Sequence, residues 1–471
     1  MVDVRLEEIP RPPAKPVVGN LFDVDRGAPV AALNALARDY GPIFRLTILN
    51  REAVFVSGFA LADELCDPQR FDKKVGAGLT QVRAFAGDGL FTAYTEEPNW
   101  RKAHAILLPA FSQQAMRDYF LMMVDIAQQL IKKWQRLNPD DDIQVTPDMT
   151  RLTLDTIGLC GFGYRFNSFY RQAPHPFVEA MTRCLSESMQ RANRLPVQDK
   201  ISVRERRQFD ADVEYMDEMV DTLIKERRAQ PKGENGKIDL LARMLTGVDK
   251  ETNEGLDDVN IRYQIITFLI AGHETTSGLL SFALYLLMHH PDVLAKAYAE
   301  VDQVLGTDTT VMPTYQQMHQ LRYITQVLKE ALRLHPPAPA FTLQPHADAE
   351  VIGGKYRITR PEGASILVGS LHRDPSVWGD DAQAFNPDHF SEENERGLPP
   401  NAFKPFGNGQ RACIGRQFAM LEAALVLGMI LQRFELVDYN NYELKIHETL
   451  TEKPEGFTMK VHPRRTGQAA R

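Results

Sequence analysis

Apolar residues along this chain recur mostly at helical spacing, and strict alternation of apolar and polar residues is scarce. The helical pattern is strongest over five segments, which are residues 114–136, 147–161, 207–228, 257–289 and 313–334. Short strands are indicated at residues 43–58, a hairpin turning near Asn50 and Arg51, and at residues 351–358 and 364–371. Because strands and helices do not alternate regularly, the pattern predicts a mainly α fold with a small β region.

Residues 257–289 form the longest helical pattern, and they are apolar on nearly every face. A helix of that length spans ~50 Å at the usual rise per residue. Asp257 or Asp258 is expected to cap its start, and Pro291 is expected to stop it. Charged and hydroxyl side chains in its middle would be costly in lipid, so we expect the helix to run through the protein core.

The middle of this helix carries a polar cluster, AGHETTSG, at residues 271–278. One interpretation is structural, since a buried threonine or glutamate can bond to a carbonyl one turn earlier. The other is functional, because Gly272 and the neighbouring hydroxyls can loosen one turn and admit water or a ligand. The adjacency of Glu274 and Thr275 favours the functional interpretation.

Glu330 and Arg333 are spaced three apart on a second helical segment, KEALRLHPP. In isolation such a pair is a common surface feature worth about 0.2–0.5 kcal/mol. Its neighbours Leu328, Ala331 and Leu332 are apolar, which favours a buried pair instead. A buried pair needs further hydrogen-bond partners.

The chain has four cysteines, whose spacing matches no zinc site, CxxC pair or haem-attachment motif. Cys66, Cys160 and Cys184 stand in apolar helical surroundings that predict small buried side chains. Cys413 differs because it lies in the glycine-rich loop FGNGQRACIG, just before an apolar helical stretch. A thiolate there can bind a soft metal ion or haem iron. The alternative is a structural cysteine in a glycine turn.

Composition indicates an ordinary globular class. Hydrophobic residues make up 44% and charged residues 25% of the 471 residues, and the net charge of −8 gives no sign of nucleic-acid binding. The first residues, MVDVRLEEIPRPPAKP, contain no apolar run that would serve as a signal peptide or membrane anchor. We therefore expect a cytoplasmic protein without a membrane anchor.

These motifs, in this order and spacing, resemble those of the cytochrome P-450 haem-thiolate monooxygenases. The matching residues are Phe406, Gly409, Arg411, Cys413 and Gly415 for F-x-x-G-x-R-x-C-x-G, Glu330 and Arg333 for E-x-x-R, and Ala271, Gly272, Glu274 and Thr275 for A-G-x-E-T. Longer segments such as RFDK, FAGDGLFT and AFKPFGNGQRACIG are similar to the bacterial self-sufficient fatty-acid hydroxylases, whose haem domain is fused to a diflavin reductase.

The resemblance implies the cytochrome P-450 fold, with haem b between the long central helix and the cysteine loop. It implies a single haem domain over residues 1–471, with a linker to a reductase starting in the tail at about residues 464–471. Cys413 is then the axial thiolate, while Thr275 and Glu274 hold dioxygen and relay the protons that its cleavage consumes. Other residues implied near the haem are Ala271, Phe406, Arg411, Gly415, Trp100 and His104.

The resemblance also implies a structural role for Glu330 and Arg333, which would fix the fold behind the cysteine loop. An arginine usually completes a triad with this pair in the family. This chain has His389 at that position, so the triad is expected to be weaker or to depend on histidine protonation.

A substrate channel is implied in the same way. Phe91 resembles the ring that limits approach to the haem, and Arg51 resembles a residue at the channel mouth that pairs with a fatty-acid carboxylate. The apolar positions implied along the channel are Ala271, Leu79, Val82, Ala86, Ala338 and Leu450. The usual tyrosine partner of Arg51 is Phe55 here, which removes a hydroxyl anchor worth about 1 kcal/mol and predicts lower affinity for free fatty acids or a broader preference.

The implied activity is insertion of one atom of O2 into a C–H bond near the end of a medium- or long-chain fatty acid or a similar apolar molecule. Electrons are expected from NADPH through the FAD and FMN of the diflavin reductase, since this chain has no dinucleotide fingerprint. Arg101, Lys102, Lys404 and Arg416 form a basic docking face for that partner, or are scattered surface charges. The alternatives are a peroxide-driven peroxygenase, which needs no proton relay, and a non-catalytic haem-thiolate sensor.

Overall fold

The computed structural model describes residues 6–464 except 26, 49, 50, 139, 193, 195–201 and 230–238. Helices dominate these residues, as the sequence predicts. The helices are α1 Pro29–Tyr40, α2 Phe59–Leu65, α3 Ala77–Ala86, α4 Pro98–Leu107, α5 Gln113–Gln135, α6 Val145–Phe162, α7 Pro176–Ala192, α8 Val203–Ala229, α9 Leu240–Thr246, α10 Asp258–His289, α11 Pro291–Leu305, α12 Tyr315–Met318, α13 Arg322–Leu334, α14 Val368–Leu371, α15 Pro375–Trp378, α16 Glu392–Gly397 and α17 Arg416–Arg433.

The strands are short and form small sheets. They are β1 Ile43–Ile48, β2 Arg51–Val56, β3 Phe71–Lys73, β4 Ile143–Gln144, β5 Ala340–Pro345, β6 Ala349–Ile352, β7 Tyr356–Thr359, β8 Ala364–Leu367, β9 Phe434–Val437, β10 Ile446–Glu448, β11 Glu452–Pro454 and β12 Thr458–Pro463. The largest sheet has the order β1-β2-β8-β5-β3, and the others are β4-β12-β9, β6-β7 and β10-β11. The mainly α prediction with a small β region is therefore confirmed.

Four of the five predicted helices occur within a few residues of their predicted ends, as α5, α6, α8 and α10. The prediction of a single helix over residues 313–334 is wrong, because the chain forms α12 and α13 with a turn between them. The carboxylate of Glu300 in α11 accepts the N–H groups of Tyr323 at 2.7 Å and Ile324 at 2.8 Å. This cap from another helix satisfies free N–H groups at the start of α13, so a new helix begins there.

The strand predictions need two corrections. Residues 351–358 form a hairpin, β6–β7, rather than one strand, and it turns at Gly353 and Gly354, which both have positive φ. Residues 364–371 are a strand only as far as Leu367, because the partner strand β5 begins at Ala340 and pairing ends there. In the predicted hairpin over residues 43–58, β1 pairs with β2, while Asn50 lies outside the described residues.

The long helix α10 is capped and ended as predicted. The Asp257 carboxylate accepts the N–H of Asn260 at 2.8 Å, and the helix ends at His289, before Pro291. Most of its side chains are buried along its whole length, so it runs through the largest core cluster. Within the described ranges, no helix has both the length and the apolar composition needed to cross a bilayer.

Gly272 brings α6 and α10 into close contact. A side chain there would place its Cβ 2.8 Å from Ile157 Cγ1, and Thr153 Oγ1 donates to the carbonyl oxygen of His273 at 2.9 Å. The helix is continuous through residues 271–278, so the expectation that Gly272 loosens a turn is wrong. This glycine is required for packing of two helices.

Of the predicted C-terminal linker start, residues 465–471 lie outside the described residues. Arg464 is well anchored, since its guanidinium donates to both carboxylate oxygens of Asp302, at 2.8 and 2.7 Å. The last described residue therefore still packs on α11, and it is part of the folded body.

Candidate cofactor and active site

Cys413 lies between a 3₁₀ turn, Gly409–Arg411, and the start of α17. Gly407 and Gly409 both have positive φ, and the Cys413 N–H donates to the Phe406 carbonyl oxygen at 2.8 Å, which closes the loop. Cys413 is solvent-exposed, whereas the other three cysteines are buried. The loop therefore presents one thiol to accessible space.

Burial by the surrounding protein raises the pKa of the Cys413 thiol even though the residue as a whole is exposed. The Gly415 N–H and the Arg416 guanidinium act in the opposite direction but do not outweigh burial. A thiol in such a position is held as a thiolate chiefly by coordination to a metal ion. A backbone N–H, that of Gly415, lies near the sulfur.

Ala271 is exposed although it lies in the middle of the buried helix α10. Three residues earlier, Phe268 stacks on Phe111 with ring centres 5.8 Å apart. Phe111 also approaches the cysteine loop, because a Cβ built on Gly415 would lie 3.8 Å from Phe111 Cε1 and 3.8 Å from Cys413 Sγ. Phe111 therefore lies close both to α10, the helix that carries Ala271, and to the cysteine loop.

A cavity of about 100 Å³ beside the cysteine loop is lined by Lys73, Trp100 and Arg411. The Arg411 guanidinium stands 4.6 Å from the Trp100 ring centre and donates to Thr95 Oγ1 at 3.0 Å and to the Ala93 carbonyl at 2.7 Å. Neither cation forms an ion pair with a carboxylate of the described residues. Asp72 also lines the cavity, but its carboxylate forms an ion pair with neither basic group, so both remain able to bind an anionic ligand.

Burial lowers the pKa of Lys73 to about 7, with a further contribution from Arg411, and burial lowers the pKa of Arg411 to about 10. His104 stacks on Trp100 with ring centres 5.3 Å apart, and burial, together with Arg411, lowers the pKa of its ring. Trp100, His104 and Arg411 thus form one cluster. Lys73 was missed by sequence reasoning, although the segment RFDK that ends with it carries part of the resemblance.

Glu274 and Thr275, adjacent in α10, have different partners. Thr275 Oγ1 donates to the Ala271 carbonyl at 3.0 Å. Glu274 Oε2 accepts from Thr451 Oγ1 at 3.1 Å and lies 2.9 Å from Lys453 Nζ. The hydroxyl therefore points along the accessible face of α10, while the carboxylate is engaged by β11 and the loop before it.

Glu330 and Arg333 are both fully buried, at 0% exposure, so the surface-pair interpretation is wrong. Their side chains form two hydrogen bonds, from Nη2 to Oε1 at 2.7 Å and from Nε to Oε2 at 2.8 Å. The remaining guanidinium donors bond to the carbonyl oxygens of His372, Ala382 and Ala384. All five donors of the arginine are satisfied, which is what makes a buried pair tolerable.

His389 completes this network. Its Nδ1 lies 3.1 Å from Glu330 Oε1, and its Nε2 lies 3.1 Å from Asp381 Oδ1. Burial opposes protonation of His389, but hydrogen bonds and charge attraction to Glu330 and Asp381 outweigh it and raise the pKa of the ring. The two carboxylates therefore favour protonation of the His389 ring.

His372 links the buried pair to the cysteine loop and was missed by sequence reasoning. Its Nε2 accepts the Lys404 N–H at 2.8 Å, and its Nδ1 lies 3.3 Å from the Arg333 carbonyl oxygen. Burial lowers the pKa of His372 to about 3, so the ring is neutral with the proton on Nδ1. Only its position three residues before Pro375, in a loop-like segment, marked it in the sequence.

The residues predicted to line a channel come from several elements. Val82 and Ala86 are buried on α3, Leu79 is half-buried on the same helix, and Ala338 is exposed just before β5. Leu450 is half-buried in the loop between β10 and β11.

Phe91 is half-buried, and the Lys73 ammonium stands 4.8 Å from its ring centre. Arg51 is exposed at the start of β2. Phe55 pairs directly opposite Phe44, and the two rings stack at 5.3 Å. Phe55 is thus a sheet-packing residue in this structure.

The predicted basic face is partly neutralised. Arg101 pairs with Glu251, and Lys102 lies 2.7 Å from Glu254. Lys404 Nζ donates to Asn408 Oδ1 at 3.0 Å, while Arg416 is exposed and stands 5.7 Å from the Phe406 ring centre. Of these four residues, Arg416 at the start of α17 is therefore the exposed cation without a carboxylate partner among the described residues.

Comparison with known proteins agrees with this geometry. The model of the cytochrome P450 family matches residues 9–461. A bifunctional cytochrome P450/NADPH–P450 reductase of Bacillus cereus is 54% identical over 465 residues, which cover 98% of this chain and 43% of the relative. Bifunctional cytochrome P450/NADPH–P450 reductase 1 of Bacillus subtilis is 56% identical over 456 residues, which cover 97% of this chain and 42% of the relative.

A fungal relative shows the same relationship. Self-sufficient cytochrome P450 monooxygenase CYP505E5 of Aspergillus kawachii is 47% identical over 466 residues, which cover 98% of this chain and 44% of the relative. The chain thus spans less than half the length of these relatives. The family match extends over nearly the whole chain and includes the cysteine loop, the buried Glu330–Arg333 pair and the polar middle of α10. The chain belongs to the cytochrome P450 family.

Proposed function

We propose that this chain is the haem domain of a monooxygenase that hydroxylates medium- or long-chain fatty acids, or related acyl compounds, near the chain end. The observation that carries the proposal is the pair of basic residues, Lys73 and Arg411, that line one cavity beside the loop of the exposed Cys413. Asp72 lines the same cavity but forms an ion pair with neither of them. A soft thiol next to an anion-binding cluster matches the two chemical ends of haem, its iron and its propionates.

The residues present fit haem b. Cys413 would hold the iron, while Lys73, Trp100 and Arg411 would bind the propionates, and Phe406 and Gly415 shape the loop around the sulfur. When bound, haem with a thiolate ligand supplies activation of dioxygen for insertion of one oxygen atom into a C–H bond.

Glu274 and Thr275, the adjacent polar residues in the middle of α10, would position water and transfer protons. The Thr275 hydroxyl lies one turn after the exposed Ala271, where it can hold water or dioxygen by a hydrogen bond. The Glu274 carboxylate, next in the chain, would deliver protons through water as a general acid. A peroxide-driven enzyme needs no such relay, so this pair supports a reaction that starts from dioxygen.

The apolar positions on α3, before β5 and between β10 and β11 would form the substrate channel, with Phe91 limiting how close a chain end comes to the reacting centre. Arg51, exposed at the start of β2, would attract the carboxylate of the fatty acid. Because Phe55 offers no hydroxyl and is stacked on Phe44, the carboxylate has one fewer anchor, worth about 1 kcal/mol.

Electrons would come from NADPH through an FAD- and FMN-containing reductase. Support comes from the relatives, whose printed names join a cytochrome P450 to an NADPH–P450 reductase and of which this chain covers only 42–44%. The reductase would dock near the exposed Arg416 at the cysteine loop.

The test compares the haem-loaded chain supplied with NADPH and a diflavin reductase against the same chain supplied with hydrogen peroxide alone. We expect hydroxylated fatty acid from the first mixture, and a spin-state change when fatty acid is added. Thr275→Ala should reduce turnover with NADPH far more than turnover with peroxide. Turnover with peroxide only would indicate the peroxygenase, and tight CO or NO binding without any response to lipids would indicate the sensor.

A further inference from the structure

The β10–β11 hairpin, residues 446–454, contacts the Glu274 carboxylate directly. Thr451 Oγ1 donates to Glu274 Oε2 at 3.1 Å, and Lys453 Nζ lies 2.9 Å from the same oxygen. The other oxygen, Oε1, lies 2.8 Å from His273 Nε2. Oε1 therefore stands beside the His273 ring, and the two partners of Oε2 come from the hairpin.

This contact is well shielded from solvent. The side chains of Glu274 and Lys453 are 13% and 12% exposed. Burial opposes ionisation of Glu274, but attraction to Lys453 and His273 outweighs it and holds the pKa of the carboxyl well below its usual value. In this arrangement Glu274 is a stable anion and a poor proton carrier near neutral pH.

The hairpin backbone packs against both α10 and the segment before β5. A Cβ built on Gly278 would lie 2.9 Å from the Glu452 carbonyl oxygen, so the strand lies directly on α10. The Glu452 N–H donates to the Pro337 carbonyl oxygen at 2.9 Å, one residue before Ala338. Two predicted channel positions are therefore connected to the residues that contact Glu274. Leu450 is next to Thr451 in the chain, and Ala338 follows Pro337, which is hydrogen-bonded to Glu452.

The other charged groups of the hairpin do not compete for Lys453. Glu448 is directly opposite Glu452, and its carboxylate accepts the N–H groups of Val30 at 2.6 Å and Ala31 at 3.1 Å, which begin α1. Burial raises the pKa of Glu452 to about 8, with Glu448 adding to the rise and Arg373 opposing it. Glu452 is thus neutral near pH 7, which leaves Glu274 as the carboxylate partner of Lys453.

We propose that Lys453 and Thr451 are positioning residues that hold Glu274 on the hairpin side of α10, and that an acyl chain pressing on Leu450 moves the hairpin and releases this carboxylate for proton transfer. The inference rests on the proposed function, because it deepens the role of the same proton relay. If Glu274 is released only when the channel is occupied, protons are delivered only when a substrate is present. Electrons from NADPH are then not consumed in the absence of substrate.

The direct test measures the protonation of Glu274 by infrared spectroscopy on the haem-loaded chain labelled with 13C-glutamate, with Glu274→Gln used for assignment. In Lys453→Met we expect the apparent pKa of Glu274 to rise by about 1–3 units. Lys453→Arg should behave like the wild type. Lys460→Met is the matched control, because Lys460 lies on β12 and its ammonium stands 3.8 Å from the exposed Asp140 and 4.7 Å from the Tyr439 ring centre.

The second arm adds palmitic acid at fixed pH. In the wild type we expect the protonated fraction of Glu274 to rise towards that of Lys453→Met, while Lys453→Met itself responds little. If Lys453→Met does not fold, Thr451→Val should show a smaller shift in the same direction. The proposal is overturned if Lys453→Met titrates as the wild type does, or if palmitic acid changes the haem spin state but leaves Glu274 unchanged.

These results separate the inference from the proposed function. The comparison of Lys453→Met with the wild type in the absence of lipid reports on the hairpin contact alone, and it needs no turnover. If no fatty acid is bound or hydroxylated, the proposed function fails. The proposal that an acyl chain releases Glu274 then fails as well, even if the infrared comparison shows that Lys453 lowers the pKa of Glu274.

Discussion

Lys73 donates a hydrogen bond to the Phe91 carbonyl oxygen at 2.6 Å, and its ammonium stands 4.8 Å from the centre of the Phe91 ring. The same lysine lines the cavity formed with Trp100 and Arg411. One side chain therefore connects the predicted cofactor edge to the ring predicted to limit substrate approach. A propionate bound in that cavity would fix both the charge of Lys73 and the position of Phe91.

Replacing Lys73 with methionine should weaken haem retention. A buried hydrogen bond to a charged group is worth about 1.5–3 kcal/mol, so the haem should transfer to an acceptor protein roughly tenfold faster or more. The control is Lys74→Met, since the Lys74 ammonium bonds to the Arg360 and Pro361 carbonyls at the surface. Equal transfer rates for Lys73→Met and the wild type would remove Lys73 from the haem site.

Replacing Phe91 with alanine should change the position of hydroxylation. Without the ring, a fatty-acid chain can approach the reacting centre more deeply, so the product distribution read by mass spectrometry should shift towards carbons farther from the chain end. Phe22→Ala, at an exposed ring far from the channel positions in sequence, is the matched control. An unchanged distribution in Phe91→Ala would mean that the channel has been placed wrongly.

His389 should make the stability of the fold depend on pH. Its pKa is raised in the folded state, so the stability it contributes is fully present below its unfolded value of about 6.5 and is lost as pH rises through the folded value. His389→Gln should therefore lose about 1–2 kcal/mol relative to the wild type at about pH 6 and less at about pH 9. Urea unfolding at both pH values measures this, and an offset that is the same at both would contradict it.

The Glu330–Arg333 pair should be worth far more than an exposed pair of the same chemistry. Glu330→Gln leaves a fully buried guanidinium without its counter-charge and should cost about 3–5 kcal/mol of unfolding free energy. Glu392→Gln, at the exposed pair with Arg396, should change stability by less than about 0.5 kcal/mol. Urea unfolding of the two variants measures both changes in unfolding free energy. Similar losses of unfolding free energy in Glu330→Gln and Glu392→Gln would show that burial of the first pair has no energetic effect.

Features that depend on nearby residues in the chain could be predicted from the sequence. The cap at Asp257, the end of α10 before Pro291 and the helix that follows Gly415 all follow from local residue types. The glycine-rich composition of the cysteine loop is local too, and Gly407 and Gly409 adopt the positive φ that glycine permits. These are short-range effects, so one chain carries enough information to specify them.

Features that depend on partners distant in sequence could not be predicted in this way. The cap that Glu300 provides for α13, the stacking of Phe55 on Phe44 and the contact between Lys453 and Glu274 each join separate elements. Lys73 is another case, because a buried lysine facing a cavity has no local pattern that separates it from a surface lysine. Sequence reasoning therefore identified the motif residues and missed those that position them.

The central claim is that Cys413 binds haem iron through its thiolate, and the absorption spectrum of the reduced, CO-bound protein tests it most directly. The parent chain should show the strongly red-shifted main band of thiolate ligation, and Cys66→Ala, at a buried cysteine, should retain it. Cys413→Ser should lose both this band and hydroxylation activity. A Cys413→Ser protein with the same spectrum and the same products as its parent would contradict the account.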